Sequence, residues 1–215
     1  DLPELNVAFT NASVDATGYW YRNFEYPIEK ERGFDFHEDL YQPFVIKFEP
    51  GDQFAVIVST EAADARSAER LEESERERRI GLLQLADAKD DLTKQLVHAA
   101  DQFIVKRGRG HSIIAGYPWF SDWGRDTMIA LPGLTLATNR PEIAREIILE
   151  FAKHISQGMI PNRFPDADEE PEYNTVDATL WYFEAIRAYA EETGDYDVIQ
   201  EELYKKLADI IAWHL

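Results

Sequence analysis

Short apolar and aromatic runs, separated by turn residues, occupy the first 60 residues and predict β-strands. The clearest runs are residues 19–21, 44–48 and 54–58. The Glu-Pro-Gly-Asp turn at residues 49–52 predicts that the last two runs form a β-hairpin. Because these strands are few for a sandwich, we expect residues 1–61 to be the end of an N-terminal β-sandwich domain whose other strands precede Asp1.

A charged segment follows, in which alanine, serine, arginine and glutamate replace the apolar runs. Glutamates in residues 62–80 lie three or four positions from arginines, which is the spacing of ion pairs on a solvated helix. We interpret residues 62–88 as a charged helical linker between a β domain and an α domain. The alternative is a helix that binds a protein partner.

Apolar residues recur at helical spacing after Asp90, which predicts a helical domain over residues 89–215. The first helix begins at Asp90 or Asp91 as its cap. Its predicted apolar face consists of Leu92, Leu96, Ala99, Ala100 and Phe103. A second helix is predicted at residues 126–138, which are apolar nearly all round and are therefore expected to be buried on most sides. Pro141 opens a third helix. A fourth is predicted at residues 176–192, ended by Gly194, and a fifth at residues 196–215. The predicted fold is mainly α with an N-terminal β segment.

The charge balance narrows the classes of partner. The chain has 41 Asp and Glu against 22 Lys and Arg, a formal net charge of −19, which disfavours nucleic acid and anionic membrane surfaces but does not penalise a neutral ligand. No apolar run approaches the roughly 18 residues of a membrane span. The sequence has no cysteine, which suits a reducing compartment, and we expect a cytoplasmic location. Five scattered histidines predict no metal site.

Two long loops between the predicted helices concentrate the unusual chemistry, residues 106–124 and 156–174. The first contains Trp119, Asp122 and Trp123 and leads into Asp126. Indole faces stack on sugar rings and carboxylates hydrogen-bond to sugar hydroxyls, so this composition suggests carbohydrate. The alternative is that the aromatics are core residues under a loop and that Asp126 caps a helix.

The second loop offers Asn162, Arg163, Tyr173 and Asn174 and leads to Asp177, with Trp181 one turn further on. Aromatic neighbours would make Asp177 a suitable proton donor near neutral pH. A helix cap is the rival role for Asp177, but Asn174 or Thr175 can equally provide the cap. Arg163 either orients a sugar hydroxyl or pairs with Asp166.

Several strings resemble the amylo-α-1,6-glucosidase domain of glycogen debranching enzymes, most closely residues 115–127, Ala-Gly-Tyr-Pro-Trp-Phe-Ser-Asp-Trp-Gly-Arg-Asp-Thr. Residues 158–166 and 173–181 are similar to later motifs of that family, in the same order and spacing. Residues 19–26 resemble the end of the β domain that precedes the glucosidase in bacterial and archaeal members. The resemblance covers nearly the whole chain.

The resemblance implies an (α/α)₆ barrel that removes α-1,6-linked glucose from glycogen or limit dextrin with inversion and needs no cofactor. It places Asp177 at the general-acid position and makes Trp119, Asp122, Arg125 and Asp126 the wall of the glucose pocket. The general base of the family lies far downstream of the acid, so we expect it beyond Leu215. A twelve-helix barrel needs roughly 200 residues, more than residues 89–215 supply, so we expect an incomplete barrel and an inactive fragment. A carbohydrate-binding module that uses the same aromatic loops is the alternative function.

Overall fold

The computed structural model describes residues 3–49, 51, 53–117, 120–163 and 170–215. About half of the chain is helical, with a small β region at the N-terminus. The chain divides into two compact units, residues 1–76 and residues 77–215. Among the described residues, no helix is long and apolar enough to cross a membrane.

The described residues of the first unit form the strands β1 (Asn6–Phe9), β2 (Ala12–Glu25), β3 (His37–Phe48) and β4 (Val56–Ser59) and the short helix α1 (Pro27–Glu31). The strands form two antiparallel pairs, β1 with β4 and β2 with β3. The strands predicted at residues 44–48 and 54–58 are therefore confirmed, the second of them beginning at Val56, but the predicted hairpin between them is wrong. β3 pairs with β2 because this strand has 14 residues whereas β4 has four, so the pairing with β2 forms more ladder hydrogen bonds.

A 3₁₀ turn (Ala65–Ser67) leads into α2 (Ala68–Leu85), which confirms the predicted charged helix. None of its residues is buried, as expected for a solvated helix. Arg76 pairs with Glu72 four residues earlier, at 2.8 Å. The division between the two units falls inside this helix, after Arg76.

The second unit is built from helices and one β-hairpin. Its elements are α3 (Asp91–Asp101), β5 (Ile104–Arg107), β6 (Gly110–Ile113), α4 (Gly124–Leu134), a 3₁₀ turn (Leu136–Thr138), α5 (Pro141–Lys153), α6 (Asp177–Thr193), α7 (Tyr196–Val198), a π-helical turn (Ile199–Leu203) and α8 (Tyr204–Trp213). The antiparallel β5–β6 hairpin lies at the start of the segment predicted as a long loop, so that prediction is wrong there.

The helix starts and ends follow local signals. Asp90, and not Asp91, caps α3, because its carboxylate accepts a hydrogen bond from the Thr93 amide at 3.0 Å. Pro141 is the first residue of α5, and Gly194 ends α6 with φ of 69°. The predicted apolar face of α3 is wrong at four of its five positions, because Leu92, Leu96, Ala99 and Phe103 are exposed. Ala100 is buried as predicted, together with Val97, which was not part of the predicted face.

The hydrophobic core lies in the second unit, where α4 packs on α6 and α5 packs on both α6 and β6. Leu131 of α4 and Tyr182 of α6 are fully buried. The Tyr182 hydroxyl donates a hydrogen bond to the Ile148 carbonyl of α5 at 2.8 Å, so its polar end is satisfied inside the core. Burial of α4 is one-sided, because Ile129 remains 49% exposed.

Candidate active site

The two loops singled out in the sequence meet through their backbones at the start of α4. The amide of Gly124 donates to the Asn162 carbonyl at 2.8 Å, and Trp123 and Arg163 form an isolated antiparallel bridge. A Cβ atom on residue 124 would lie 2.1 Å from the Pro161 carbonyl oxygen. Only glycine permits this approach, so Gly124 fixes the distance between the two loops.

Asn162 ties this junction to the third segment of the site. Its side chain is 4% exposed, accepts from the Arg125 amide at 3.3 Å and donates to the Asn174 side-chain oxygen at 2.9 Å. Its own amide donates to the Glu172 carbonyl at 2.7 Å. A buried side-chain amide with both ends satisfied is rigid, so Asn162 positions the start of α4 relative to residues 172–174.

Asp177 is the first residue of α6, and it faces the start of α4. Its carboxylate lies 3.4 Å from an Arg125 Nη1, and both side chains are about half exposed. The N-cap position of α6 is Val176, without a side-chain cap, so neither Asp177 nor Asn174 nor Thr175 caps this helix. Freed from capping, the Asp177 carboxylate is open to solvent and to a ligand.

Trp181 and Asp126 are two of the aromatic and acidic residues expected near Asp177. Trp181, one turn along α6, is 41% exposed. Asp126 lies in the exposed first turn of α4, where the helix terminus favours negative charge, but it does not cap the helix, whose N-cap is Trp123. Trp119 lies outside the described residues.

Asp122 is enclosed rather than open. It is 1% exposed, and its carboxylate accepts hydrogen bonds from the Arg107 guanidinium and the Ser112 hydroxyl, each at 2.8 Å. Both donors belong to the β5–β6 hairpin. A buried, paired carboxylate of this kind holds the hairpin against the loop that leads to Trp123.

Arg163 pairs with Glu172 at 2.6 Å, while the alternative partner Asp166 lies outside the described residues. Tyr173 is anchored by the hydrogen bond that its hydroxyl donates to the His154 carbonyl at 2.7 Å. Burial, with a smaller contribution from Glu170, raises the pKa of Tyr173. Both side chains thus brace the loop between α5 and α6.

Three residues of this network were not predicted from the sequence: Arg107, Ser112 and Glu172. Arg107 and Ser112 reach Asp122 only because β5 and β6 form a hairpin, which was not predicted. The Glu172 carboxylate accepts hydrogen bonds from the Arg163 guanidinium and, at 3.4 Å, from the side-chain nitrogen of Asn174. Its position two residues before Asn174, in a loop already rich in polar residues, was the signal available.

The arrangement offers a solvent-accessible carboxylate, Asp177, beside the start of α4, where Asp126 is also exposed. Within the described part of the chain, no group of three His, Cys, Asp or Glu side chains lies close enough to hold a metal ion. A carboxyl group one helical turn from an exposed indole, as Asp177 and Trp181 are, suits proton transfer to a stacked sugar.

Comparison with known sequences agrees with this geometry. The amylo-alpha-1,6-glucosidase family matches residues 98–215, and the N-terminal region of glycogen debranching enzymes matches residues 1–55. A glycogen debranching enzyme of Saccharomyces cerevisiae is 38% identical over 101 residues, which are 44% of this chain and 6% of the yeast protein. The chain thus spans only a small part of that relative. Because the glucosidase match covers more than half of its length, the chain belongs to the amylo-alpha-1,6-glucosidase family.

Proposed function

We propose that this chain carries part of the sugar-cleaving site of a glycogen debranching enzyme, which hydrolyses α-1,6-linked glucose at the branch points of glycogen or limit dextrin. The observation that carries the proposal is the convergence of Arg125 and Asp177 at the adjoining starts of α4 and α6. The name of the yeast relative and the family match support the same substrate class. Branched α-glucan is then the partner, and no cofactor takes part.

In this mechanism Asp177 is the general acid. Its carboxyl proton moves to the glycosidic oxygen as the bond from that oxygen to the anomeric carbon breaks. A second carboxylate, about 6.5–9.5 Å away, takes a proton from the water that attacks the opposite face of the sugar. The product is β-glucose, with inversion of the anomeric configuration.

Arg125 must move away from Asp177 before a glycosidic oxygen can take its place beside the carboxyl group. The contact between Arg125 and Asp177 is long, and both groups are about half exposed. Such ion pairs contribute only about 0–1 kcal/mol. A bound glucosyl unit that hydrogen-bonds to Arg125 can therefore separate the pair and leave Asp177 next to the glycosidic oxygen.

The proposed mechanism also requires a general base. Asp122 is buried and its carboxylate accepts hydrogen bonds from Arg107 and Ser112, so it is poorly placed to activate a water. We propose that the base belongs to a part of the enzyme outside these 215 residues and that the helical unit contributes to an (α/α)₆ barrel. The adjoining starts of α4 and α6, and the packing of both α4 and α5 on α6, support that architecture. On this proposal the 215-residue chain alone releases no glucose.

From the resemblance of residues 19–26 we also propose a bacterial or archaeal type of enzyme, with residues 1–61 as the end of a β-sandwich domain and residues 62–88 as the linker. The separate family matches to residues 1–55 and 98–215 support the division into an N-terminal region and a glucosidase region. The cysteine-free sequence fits a cytoplasmic location.

The test is free-glucose release from phosphorylase-limit dextrin by the full-length gene product that carries this sequence, with the anomer followed by NMR. Asp177→Asn should abolish turnover and leave glucan binding intact, whereas Asp209→Asn, an exposed change on α8, should leave both unchanged. Turnover that survives Asp177→Asn rejects the acid role. Glucan binding without any turnover in the unmodified protein would favour a carbohydrate-binding module instead.

A further inference from the structure

The β2–β3 pair of the first unit has a half-buried face and a solvent face. Side chains alternate between the two faces of a strand, and half-buried positions of β3 alternate with exposed ones. The half-buried residues are Leu40, Gln42, Phe44 and Ile46. The exposed residues between and beside them are Asp39, Tyr41, Pro43, Val45 and Lys47, and they define the solvent face.

Opposite charges pair across the two strands on the solvent face. Lys47 of β3 pairs with Asp15 of β2, and Asp39 pairs with Arg22. These four side chains are between 39% and 62% exposed. Exposed ion pairs cost little, whereas the same charges under another layer of structure would have to be desolvated. The solvent face is therefore suited to contact with water.

Two aromatic rings nevertheless lie in the middle of this face. Trp20 and Tyr41 are directly opposite each other in the ladder, with ring centroids 4.7 Å apart and an angle of 36° between the ring planes. Trp20 is 53% exposed and Tyr41 is 52% exposed. The Arg22 guanidinium lies 4.6 Å from the centre of the Trp20 ring and joins Asp39 at its edge. The two rings form an aromatic platform with polar groups beside it.

Irregular strand pairing lies on both sides of the aromatic platform. The register shifts before Tyr19 and again after Tyr21. Gly18 in the first shift and Asn23 in the second have left-handed φ values of 62° and 53°. The Asn23 amide donates a hydrogen bond to the Asp39 carboxylate at 2.9 Å. Bulges re-aim side chains and are frequent beside functional sites, so the two shifts favour a functional role for the rings between them.

We propose that the aromatic platform of Trp20 and Tyr41 binds a glucosyl unit of an α-glucan chain, as a second sugar site in addition to the one around Asp177. Sugar rings stack their CH faces on aromatic rings, and charged side chains such as Arg22 and Asp39 hydrogen-bond to sugar hydroxyls. α-Linked glucans curve whereas β-1,4-linked glucans are flat, so two rings tilted by 36° suit the α-linked chain. The choice of α-glucan rests on the proposed function.

The test follows the indole N–H signals of the full chain by two-dimensional NMR while maltoheptaose, a linear α-1,4-glucan, is added. The chain has five tryptophans, and the Trp20 signal is assigned by its absence in Trp20→Phe. We expect this signal to shift saturably with maltoheptaose and to stay in place with cellohexaose, a β-1,4-linked glucan. A Trp20 signal that ignores maltoheptaose, or that responds equally to both sugars, overturns the proposal.

A pair of variants tests the second ring of the platform. Tyr41→Thr removes the ring opposite Trp20 but keeps a residue that favours strands, and it should weaken maltoheptaose binding, read from the Trp20 signal, about fivefold. Tyr19→Thr is the matched control, because Tyr19 is 60% exposed and pairs with Gln42 on the opposite face. Its affinity should stay within about twofold. Equal losses in the two variants overturn the role of Tyr41, and circular dichroism verifies that each variant is folded.

The platform and the cleavage reaction can fail separately. The Trp20 shift should persist in Asp177→Asn, since binding at the platform needs no proton transfer. If the Trp20 signal does not respond although the full-length gene product releases glucose, the platform is rejected and the proposed function stands. If the signal responds but no glucose is released, the platform stands and the proposed function is rejected.

Discussion

At the scale of single residues, Gly124 is the position on which the candidate site depends most directly. A methyl group there would overlap the Pro161 carbonyl, and the backbone hydrogen bond from Gly124 to Asn162 would have to open. We expect Gly124→Ala to lower the free energy of unfolding by about 1–3 kcal/mol, the usual cost of overpacking. Urea denaturation of the purified chain measures this change.

Gly133 is the matched control, because it lies in the same helix and a Cβ atom there meets no neighbour within 4 Å. Gly133→Ala should be neutral or stabilise by up to about 1 kcal/mol, since alanine restricts the unfolded chain and favours a helix. Equal unfolding free energies for the two variants would show that the approach of residue 124 to Pro161 does not constrain the site.

At the scale of elements, local signals predicted helix limits well. Pro141, Gly194 and Asp90 act through their own backbone or side chain within one turn of the helix, so the sequence contains all the information needed. Strand pairing was different. Whether β3 pairs with β2 or with β4 depends on residues far apart in the chain. The turn signal at residues 49–52 concerns only the pairing of β3 with β4, which is the next strand along the chain.

In the candidate site, too, the local features could be predicted from the sequence and the long-range ones could not. The placement of Asp177 and Trp181 on consecutive turns of one helix could be predicted, because it depends only on residues four positions apart. The enclosure of Asp122 was not predicted, because it requires the β5–β6 hairpin to fold back onto the loop. The dipeptides Arg107-Gly108 and Arg109-Gly110 held a turn signal, and Gly108 does adopt a left-handed φ of 58°, which glycine accepts without strain.

Helix α6 also predicts how the stability of the second unit responds to alkali. Burial, with help from the hydrogen bond to Asp195, raises the pKa of Tyr189 to about 12, and burial also raises the pKa of Tyr182. An unfolded tyrosine ionises near pH 10. Between these values the unfolded state releases protons that the folded state retains, so stability is full below about pH 10 and falls as pH rises toward 12.

Tyr189→Phe should therefore lose stability at neutral pH, by about 1 kcal/mol for the missing hydrogen bond, but show a shallower decline above pH 10. Urea midpoints measured at one-unit intervals from pH 8 to pH 11 give the slope. Tyr204→Phe is the control, because Tyr204 is 68% exposed and its removal should leave the slope unchanged. An unchanged slope in Tyr189→Phe would contradict the expectation.

At the scale of the whole molecule, the two units differ in how they are stabilised. The clustered buried hydrophobic residues all belong to residues 77–215. Among the described residues of the first unit, Ala65 is the only buried hydrophobic residue, and exposed aromatics such as Trp20 and Tyr41 lie on its strands. Because apolar burial is the main stabilising contribution, the second unit should be much the more stable of the two.

The variant Leu131→Ala tests whether the helical unit is stable independently of the first unit. Leu131 is fully buried in α4, and truncation of such a side chain costs about 2–5 kcal/mol. Followed by hydrogen exchange and mass spectrometry, the variant should exchange faster throughout the helical core of residues 77–215, whereas peptides from residues 1–76 should keep their rates. Equal acceleration in both segments would mean that the two units unfold together. A response confined to residues 77–215 would mean that this core, which positions Asp177 and Arg125, is stable without help from the strands.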